Sequence, residues 1–499
     1  MTRASLALAV IGAAASACGR IGYQALDDAD GGAGLSLTYP TSDVAAVVGV
    51  TAIDLAPLVN RTADGFTIAP ALPAGVALDF TSGVIAGVPT AVADDVDYTI
   101  TATAGAETAT FQLRLTALPG SAVDVTADHP DDNGGADAIC FATPAGGCTL
   151  RAAVQTANRR TTRQLVLLAE GDYALGSALE PIANDVVIAG QTPQTTQVRA
   201  SSPQPGYGML RLATQHRLTL RRATFRDFGM TDGAVVYVTA GHLEVDQGHF
   251  DGNASAGSGG VFFVAGGARA TIRASLFTDN ESFGGCCSGW GGVIDGEESG
   301  TTITVERSTA SGNRSAWGGF AHITTGTTLR LVNSTLYGNH STIAGVLATP
   351  GGQYDVVNST IAGNTNAAQN SAGLYLHSDP GHYQLANTLV AFNTDSSGAQ
   401  HNCRRNDTAP TLTSRGGNLI GDGGGNCSQF LIGPGDRRSI DPGLAPGAPA
   451  DHGGPTPTLL LTGDAAALGA GLPGECPSVD QRGYPRPDGP CDSGAIEMP

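Results

Sequence analysis

One short pattern recurs along the middle of this chain and limits what the chain can fold into. Seven apolar-x-apolar triplets have central residues that lie 25 to 33 positions apart, namely Leu220, Val245, Ile272, Val305, Leu331, Val356 and Leu385. Five positions after each central residue comes a mostly bulky apolar residue, from Phe225 to Val390. Such a period predicts a stacked solenoid, in which each repeat buries its apolar face on its neighbours.

The repeats alternate like β-strands and are rich in Val, Leu, Ile and Thr, and no helical spacing competes. We therefore predict an all-β fold with a right-handed parallel β-helix. Eight positions after each of the last six central residues stands an asparagine, giving Asn253, Asn280, Asn313, Asn339, Asn364 and Asn393. We expect these residues to form a structural ladder at a repeated bend, since an amide can bond both the turn and the next coil. The alternative is that the row binds a ligand.

Composition and charge restrict the classes of function. The chain of 499 residues has room for two or three domains, and its 70 glycines and 14% charged residues fit a turn-rich β protein. Acidic residues outnumber basic ones 45 to 26, which argues against nucleic acid or an anionic membrane surface as a partner. The sequence contains no lysine, so it excludes a lysine base, a Schiff base and a P-loop.

The N-terminus has the features of an export signal. Arg3 precedes an apolar run that ends in Ala15-Ser16-Ala17-Cys18, and residues 1–18 are too short to span a bilayer. Ala17 fits ordinary signal cleavage, whereas small residues before Cys18 resemble a bacterial lipobox with Ala15 in place of the usual leucine. That resemblance implies lipidation of Cys18 and an outer-membrane location, with secretion as the alternative. Residues 19–36 are predicted to be a flexible polar tether.

Residues 37–118 show a second, compact β pattern. It contains Leu72-Pro73-x-Gly75, the bends at Gly83 and Gly87, and alternating strands from Tyr98 and from Ala109. This segment resembles the bacterial "putative Ig" domain, a sandwich related to cadherin-like modules. Because some cadherin-like modules bind calcium, Asp94, Asp95 and Asp97 are candidate calcium ligands. The alternative is that they belong to a solvated acidic loop.

Residues 122–160 precede the repeats and contain Cys148-Thr-Leu-Arg151-Ala-Ala. This run resembles the Cys-Ser-Leu-Arg-Glu-Ala motif that opens many secreted β-helix proteins, with Thr149 and Ala152 in place of serine and glutamate. Its apolar spacing suits a short amphipathic helix, which we expect to cap the open end of the solenoid. The missing glutamate leaves the partner of Arg151 undetermined.

The β-helix is expected to occupy residues 161–440. The last segment, residues 441–499, contains Asp451-His-Gly-Gly-Pro-Thr-Pro-Thr458 and Asp480-Gln-Arg-Gly483-Tyr. It resembles the type Q "choice-of-anchor" region of bacterial surface β-helix proteins.

Setting Cys18 aside leaves eight cysteines, and their grouping predicts local disulfides in an exported protein. The groups are Cys140 with Cys148, Cys286 with Cys287, Cys403 with Cys427, and Cys476 with Cys491. Cys286 and Cys287 could instead remain free thiols.

One group of residues could form a binding or catalytic site. Trp290-Gly-Gly-Val-Ile-Asp295 and Trp317-Gly-Gly-Phe-Ala-His322 occupy matching places in adjacent repeats. We expect Trp290 above Trp317, which could form a sugar-stacking platform, and Asp295 beside His322, which is a workable acid–base pair. The alternative is an internal aromatic stack with a satisfied histidine. A metal site is disfavoured, since no second Cys/His cluster has matching spacing.

These features predict a surface or secreted monomer that presents a rigid face for adhesion or carbohydrate contact, without catalysis. A polysaccharide or a surface protein would be the partner, and no cofactor is expected beyond the calcium considered above. The second hypothesis is a polysaccharide lyase or glycoside hydrolase with a groove along the coils, because parallel β-helices include both.

Overall fold

The computed structural model describes residues 34–203, 206–284, 289–377, 381–405, 411–421 and 432–499. Within these ranges the fold is nearly all β, with an Ig-like N-terminal domain and a solenoid of about nine turns. The all-β prediction is confirmed. No helix in the described ranges has the length and apolar character needed to cross a membrane.

The N-terminal domain is a β-sandwich. Its strands are β1 (Leu37–Thr38), β2 (Asp43–Val47), β3 (Ile53–Leu55), β4 (Leu58–Val59), β5 (Gly65–Ala69), β6 (Val76–Leu78), β7 (Ile85–Gly87), β8 (Ala93–Ala104) and β9 (Glu107–Leu118). The main sheet has the order β2-β9-β8-β5 and faces a small sheet with the order β3-β7-β6. Alternate residues of β8 and β9, including Ile100 and Leu113, are buried in the core between the sheets.

The solenoid follows, and the helix α1 (Leu150–Asn158) lies near its start. Its strands are β10 (Gly120–Val123), β11 (Gln164–Leu168), β12 (Gly171–Leu175), β13 (Val186–Ala189), β14 (Thr196–Ala200), β15 (Leu210–Leu212), β16 (Arg217–Arg221), β17 (Thr224–Arg226), β18 (Gly229–Asp232), β19 (Val236–Val238), β20 (His242–Asp246), β21 (His249–Asp251), β22 (Ala254–Ser258), β23 (Phe262–Val264), β24 (Arg269–Arg273), β25 (Leu276–Thr278), β26 (Glu281–Ser282), β27 (Ile294–Gly296), β28 (Thr302–Glu306), β29 (Thr309–Ser311), β30 (Arg314–Trp317), β31 (Ala321–Ile323), β32 (Thr328–Val332), β33 (Thr335–Tyr337), β34 (His340–Ala344), β35 (Leu347–Thr349), β36 (Gln353–Val357), β37 (Thr360–Ala362), β38 (Thr365–Asn366), β39 (Leu374–Leu376), β40 (His382–Ala386), β41 (Leu389–Ala391), β42 (Cys403–Arg405), β43 (Thr411–Gly416), β44 (Leu419–Ile420) and β45 (Arg437–Arg438).

The solenoid strands form four parallel sheets. Sheet I has the order β10-β11-β13-β16-β20-β24-β28-β32-β36-β40-β43, and sheet II has β12-β14-β17-β21-β25-β29-β33-β37-β41-β44-β45. Sheet III has β15-β19-β23-β27-β31-β35-β39-β42, and sheet IV has β18-β22-β26-β30-β34-β38. The predicted register is confirmed, since Leu220 pairs with Val245 in sheet I and Phe225 pairs with Phe250 in sheet II. The same register continues along both sheets to Leu385 and Val390.

Apolar side chains stack inside the coils. The rings of Phe225 and Phe250 are 5.3 Å apart between centroids, and those of Phe250 and Phe277 are 5.2 Å apart. All three side chains are fully buried, which stabilises the fold by about 1.5–3 kcal/mol for each. Further along the axis, Tyr354 stacks on Tyr383 at 4.8 Å, and each hydroxyl donates to backbone carbonyls.

The six predicted asparagines form a continuous hydrogen-bonded ladder. In each step the side-chain oxygen of the following asparagine accepts from the backbone N–H and from Nδ2 of the preceding one, as at Asn280 and Asn313. The ladder extends to Asn402, whose Oδ1 accepts from Asn393 although only nine residues separate the two. A second ladder was not predicted. It joins Ser275, Ser308, Ser334 and Ser359, and the hydroxyl of each of the last three accepts from the previous serine's N–H.

Helix α1 covers the first coil, in agreement with its predicted role. Its buried residues, among them Leu150 and Val154, join the apolar core of the solenoid. Thr149 caps the helix by accepting from the N–H of Ala152 at 3.1 Å. Arg151 bonds both oxygens of Asp128, at 2.7 and 2.9 Å, so Asp128 is the partner that the sequence left undetermined.

The sandwich packs directly on the solenoid. Only Pro119 separates β9 from β10, which is the first strand of sheet I, so that sheet begins before the cap. A buried apolar cluster crosses the junction and includes Val47, Leu118, Leu165 and Val187. The sandwich therefore lies against the outer side of sheet I at its first coils.

The segment 441–499 packs along the side of the solenoid. At the corner between sheets I and II, one residue in each coil from Arg222 to Asn387 has a positive φ, and four such residues bond this segment. They are Arg307, Asn333, Asn358 and Asn387, bonded to backbone atoms of Gln481, Val479, Asp492 and Leu472. The C-terminal segment is therefore an integral part of the solenoid surface.

Candidate functional site

The two appended segments leave one side of the solenoid for other contacts. The sandwich bonds sheet I through Arg221 and Arg222, and the C-terminal segment bonds the corner between sheets I and II. The contacts of both segments thus go to sheets I and II. The outer faces of sheets III and IV lie on the other side, and both tryptophans lie there.

Sheet III carries an aromatic row on its outer face. In most of its strands the first and last residues face the core, so the middle residue lies on the opposite face. Tyr237 is partly exposed there, whereas Phe263 and Tyr375 are buried. The middle residues are Arg211, Tyr237, Phe263, Asp295, His322, Ala348, Tyr375 and Arg404. Tyr237 stacks on Phe263 at 4.9 Å, and the Arg211 guanidinium lies 4.7 Å from the Tyr237 ring centroid. From Tyr237 to Tyr375 the row crosses five strand spacings, about 24 Å.

The two tryptophans stand beside this row in adjacent coils. Trp290 and Trp317 form a parallel backbone bridge, so the chain places them one above the other. Their rings turn apart, since the Trp290 ring is 6.4 Å from His322 while Trp317 contacts His377 at 4.9 Å. Gly291 makes the turn after Trp290 possible, because its φ is +66° and a Cβ there would lie 1.8 Å from the carbonyl oxygen of Ile294.

Asp295 and His322 are brought together at the centre of the row. Asp295 Oδ1 lies 2.7 Å from His322 Nδ1, and the side chains are 0% and 5% exposed. Oδ2 of Asp295 is buried and receives no hydrogen bond from an N–H or hydroxyl group. Both side chains are therefore almost completely shielded from solvent.

Two further carboxyl groups lie beside this pair. Burial and the nearby charge of Asp295 raise the pKa of Glu297 to about 7, and Asp232 adds to this effect. Burial also raises the pKa of Asp232, which accepts from the N–H of Ser258 at 2.9 Å. Glu297 therefore titrates near neutral pH, because its pKa is about 7. Glu297 and Asp232 were not among the predicted site residues, although both stand near the ends of strands that flank the tryptophans.

The candidate calcium ligands of the sandwich bond arginines. Asp95 lies 2.7 Å from Nη1 of Arg221, and Arg163 contacts both Asp94 and Asp95. Asp97 pairs with Arg114 at 2.8 Å. In the described ranges, no group of three or more His, Cys, Asp or Glu side chains is arranged to hold a metal ion. This acidic loop instead joins the sandwich to sheet I, and calcium binding there stays a prediction.

Two of the predicted disulfides are formed in the described ranges, Cys140–Cys148 and Cys476–Cys491. Cys403 is also disulfide-bonded. Cys18, Cys286, Cys287 and Cys427 lie outside the described residues, as does the export signal. The ladder asparagines are buried inside the coils, away from the aromatic row.

Comparison with known proteins identifies the sandwich only. The Putative Ig domain family model matches residues 33–117, which agrees with the observed β-sandwich. No curated protein and no solved structure matches the chain. An Ig-like domain with a β-helix is compatible with a surface or adhesion protein, and it leaves an enzymatic role open.

Proposed function

We propose that this protein is displayed outside the cell and uses the outer face of sheet III to bind carbohydrate. The observation that carries the proposal is the group of partly exposed rings of Tyr237, Trp290 and Trp317 on this side of the solenoid. Aromatic rings offer a flat apolar surface with polar groups at its rim, which suits the faces and hydroxyls of sugar rings. The rigid coils fix the spacing of these rings, so little ordering is required when a chain binds.

Export also belongs to this proposal. The disulfides Cys140–Cys148 and Cys476–Cys491 fit an oxidising compartment, where such bonds persist. We place the protein at the outer membrane through a lipid on Cys18, with secretion as the alternative. Labelling cells with a radioactive fatty acid tests the anchor. Label on the natural protein and none on Cys18→Ser would support it, and absence of label from both would contradict it.

A glycan array with the full-length protein tests the binding. We expect Trp290→Ala/Trp317→Ala to lose affinity by about tenfold or more, because each ring contributes roughly a kcal/mol of stacking. Phe80→Ala is the matched control, since this aromatic side chain is 67% exposed on the sandwich, away from the row. Binding that survives in the double variant would contradict the assignment of the face. Absence of binding to any glycan on the array would indicate a protein partner or a purely structural role.

A second candidate function is cleavage of the bound polysaccharide. The specific observation in its favour is the contact of Asp295 with His322 at 2.7 Å, near Glu297, whose pKa is raised to about 7 by burial and by the charge of Asp295.

A further inference from the structure

A crevice opens between the sandwich and the first coils of the solenoid. Its volume is about 200 Å³. Residues of β2 and β3 line it on the sandwich side, and Leu167, Gln191 and Arg222 line it on the solenoid side. Small-molecule sites occur preferentially at such domain interfaces, where walls from two units enclose a ligand. The crevice is therefore a candidate site, and it lies apart from the aromatic rings of sheet III.

Arg222 supplies an unpaired positive charge in this crevice. Its Nη1 and Nη2 donate to the backbone carbonyl oxygens of Asp43 and Gln191. Among the described residues it forms no ion pair, whereas the neighbouring Arg221 lies 2.7 Å from a carboxylate oxygen of Asp95. A guanidinium group has five N–H donors, so these two bonds leave donor hydrogens for a ligand.

The surroundings of Arg222 balance its charge only in part. Burial is the largest influence on the pKa of Arg222 and lowers it. The charges of Asp43 and Asp246 act in the opposite direction, and the charge of Arg221 opposes them. Asp246 is shared with Arg114, whose Nη1 lies 3.8 Å from it. A half-buried guanidinium without a carboxylate partner is stabilised when an anion binds to it.

The walls of the crevice indicate the rest of the ligand. Ile53, Leu55 and Leu167 are buried apolar residues that contribute to the lining. The lining also includes Asp54, which is exposed, and the chain carries a net charge of −19. Both would repel a ligand with several negative charges. One carboxylate on a small apolar body therefore matches one guanidinium and these walls.

We propose that this crevice binds a small monocarboxylic acid, with the carboxylate on Arg222 and the apolar part against the lining of β3 and Leu167. The carboxylate accepts from the unused N–H groups of the guanidinium. The ligand contacts both the sandwich and the solenoid, so its binding also stabilises their junction. This inference does not depend on carbohydrate binding, because the aromatic rings lie on the other side of the solenoid.

The test is isothermal titration calorimetry of the full-length protein with phenylacetate, benzoate and 4-methylpentanoate. Citrate is the multiply charged comparison, and 2-phenylethanol is the uncharged one. Arg222→Met removes the guanidinium, while Ala52→Phe narrows the crevice at an exposed lining position and keeps Arg222. Arg269→Met is the matched control, since Arg269 is an exposed arginine of sheet I outside the crevice. Thermal unfolding verifies that each variant is folded.

We expect at least one monocarboxylate to bind, and citrate and 2-phenylethanol to bind at least tenfold more weakly. Arg222→Met and Ala52→Phe should each weaken binding by about tenfold or more, because charge-assisted hydrogen bonds and the apolar walls are lost in turn. Arg269→Met should bind as the natural protein does.

Two results would overturn the inference. One is that none of the three monocarboxylates binds the natural protein. The other is that binding is unchanged in Ala52→Phe, which would place the ligand elsewhere. If Arg222→Met does not fold, Ala52→Phe still decides the outcome, because its substitution is at an exposed position. Neither result would bear on the glycan array, so this proposal and carbohydrate binding can fail separately.

Discussion

The asparagine ladder provides the most direct quantitative test of how this chain holds its coils together. The perturbation is Asn313→Ala, in the middle of the ladder. Oδ1 of Asn313 accepts from the backbone N–H of Asn280 at 3.0 Å and from its Nδ2 at 2.9 Å. Both asparagines are 0% exposed, so water cannot replace the lost acceptor. The substitution therefore leaves two buried donor hydrogens of Asn280 without a partner.

The structure gives the magnitude of the effect. A buried donor that loses its partner costs about 1–3 kcal/mol, so two of them lower the free energy of unfolding by about 2–6 kcal/mol. Removal of Nδ2 also deprives the carbonyl oxygen of Phe277 of a donor at 3.1 Å, which adds to the loss. Asn133→Ala serves as the control, since this asparagine is exposed and water can replace its bond to Ala136. For the control we expect a loss below about 1 kcal/mol.

The assay is urea unfolding followed by far-ultraviolet circular dichroism, combined with hydrogen exchange. Exchange should accelerate in the peptide that contains Asn280, 33 residues before the substitution, because the N–H of Asn280 loses its acceptor. A loss below 1 kcal/mol together with unchanged exchange at Asn280 would refute the reasoning. It would mean that the stacked apolar side chains hold the coils without help from the ladder.

Three further predictions test other parts of the molecule. Arg221→Met should destabilise the protein by about 3–5 kcal/mol in urea, since it breaks a buried interdomain ion pair, whereas Arg199→Met removes an exposed pair and should cost below about 1 kcal/mol. Replacing Cys476 and Cys491 with serine should remove about 3 kcal/mol of loop constraint, and limited proteolysis should then cut the C-terminal segment before the coils. The raised pKa of Glu297 stabilises the fold fully below pH 4.5, and this contribution is lost as the pH rises through about 7. The melting temperature of Glu297→Gln should therefore rise relative to the natural protein between pH 5 and pH 8, and a constant difference would contradict the assigned proton.

The aromatic site shows how far sequence spacing can predict geometry. Matching places in two repeats predicted that Trp290 would lie above Trp317 and Asp295 beside His322, and the backbone pairs both sets in register. Spacing could not predict which way the indole rings turn, because ring orientation depends on packing against His322, Tyr375 and His377.

Other residues of the site could not be predicted from the sequence. In the sequence, Glu297 and Asp232 cannot be told apart from ordinary surface acids. Only their burial beside Asp295 in the structure distinguishes them. Tyr237 and Phe263 belong to sheet III, whose strands are three residues long and too short for a clear alternation. Asn402 was not predicted to belong to the ladder, because it lies nine residues after Asn393, outside the period of the repeat.

The sequence by itself determined the solenoid, its register and its asparagine ladder, because a repeat places like residues at like positions and stacking then follows from local geometry. It also determined the Ig-like sandwich, whose turns and alternation are local. Only the tertiary structure decided which surfaces of the solenoid are covered by the sandwich and by the C-terminal segment. The acidic loop of Asp95 binds Arg221, and residues 441–499 bond the corner at Asn333 and Asn358. These contacts join residues more than a hundred positions apart, and no sequence period relates them. The physical reason is that burial and charge environment are properties of the assembled surface, which no single repeat contains.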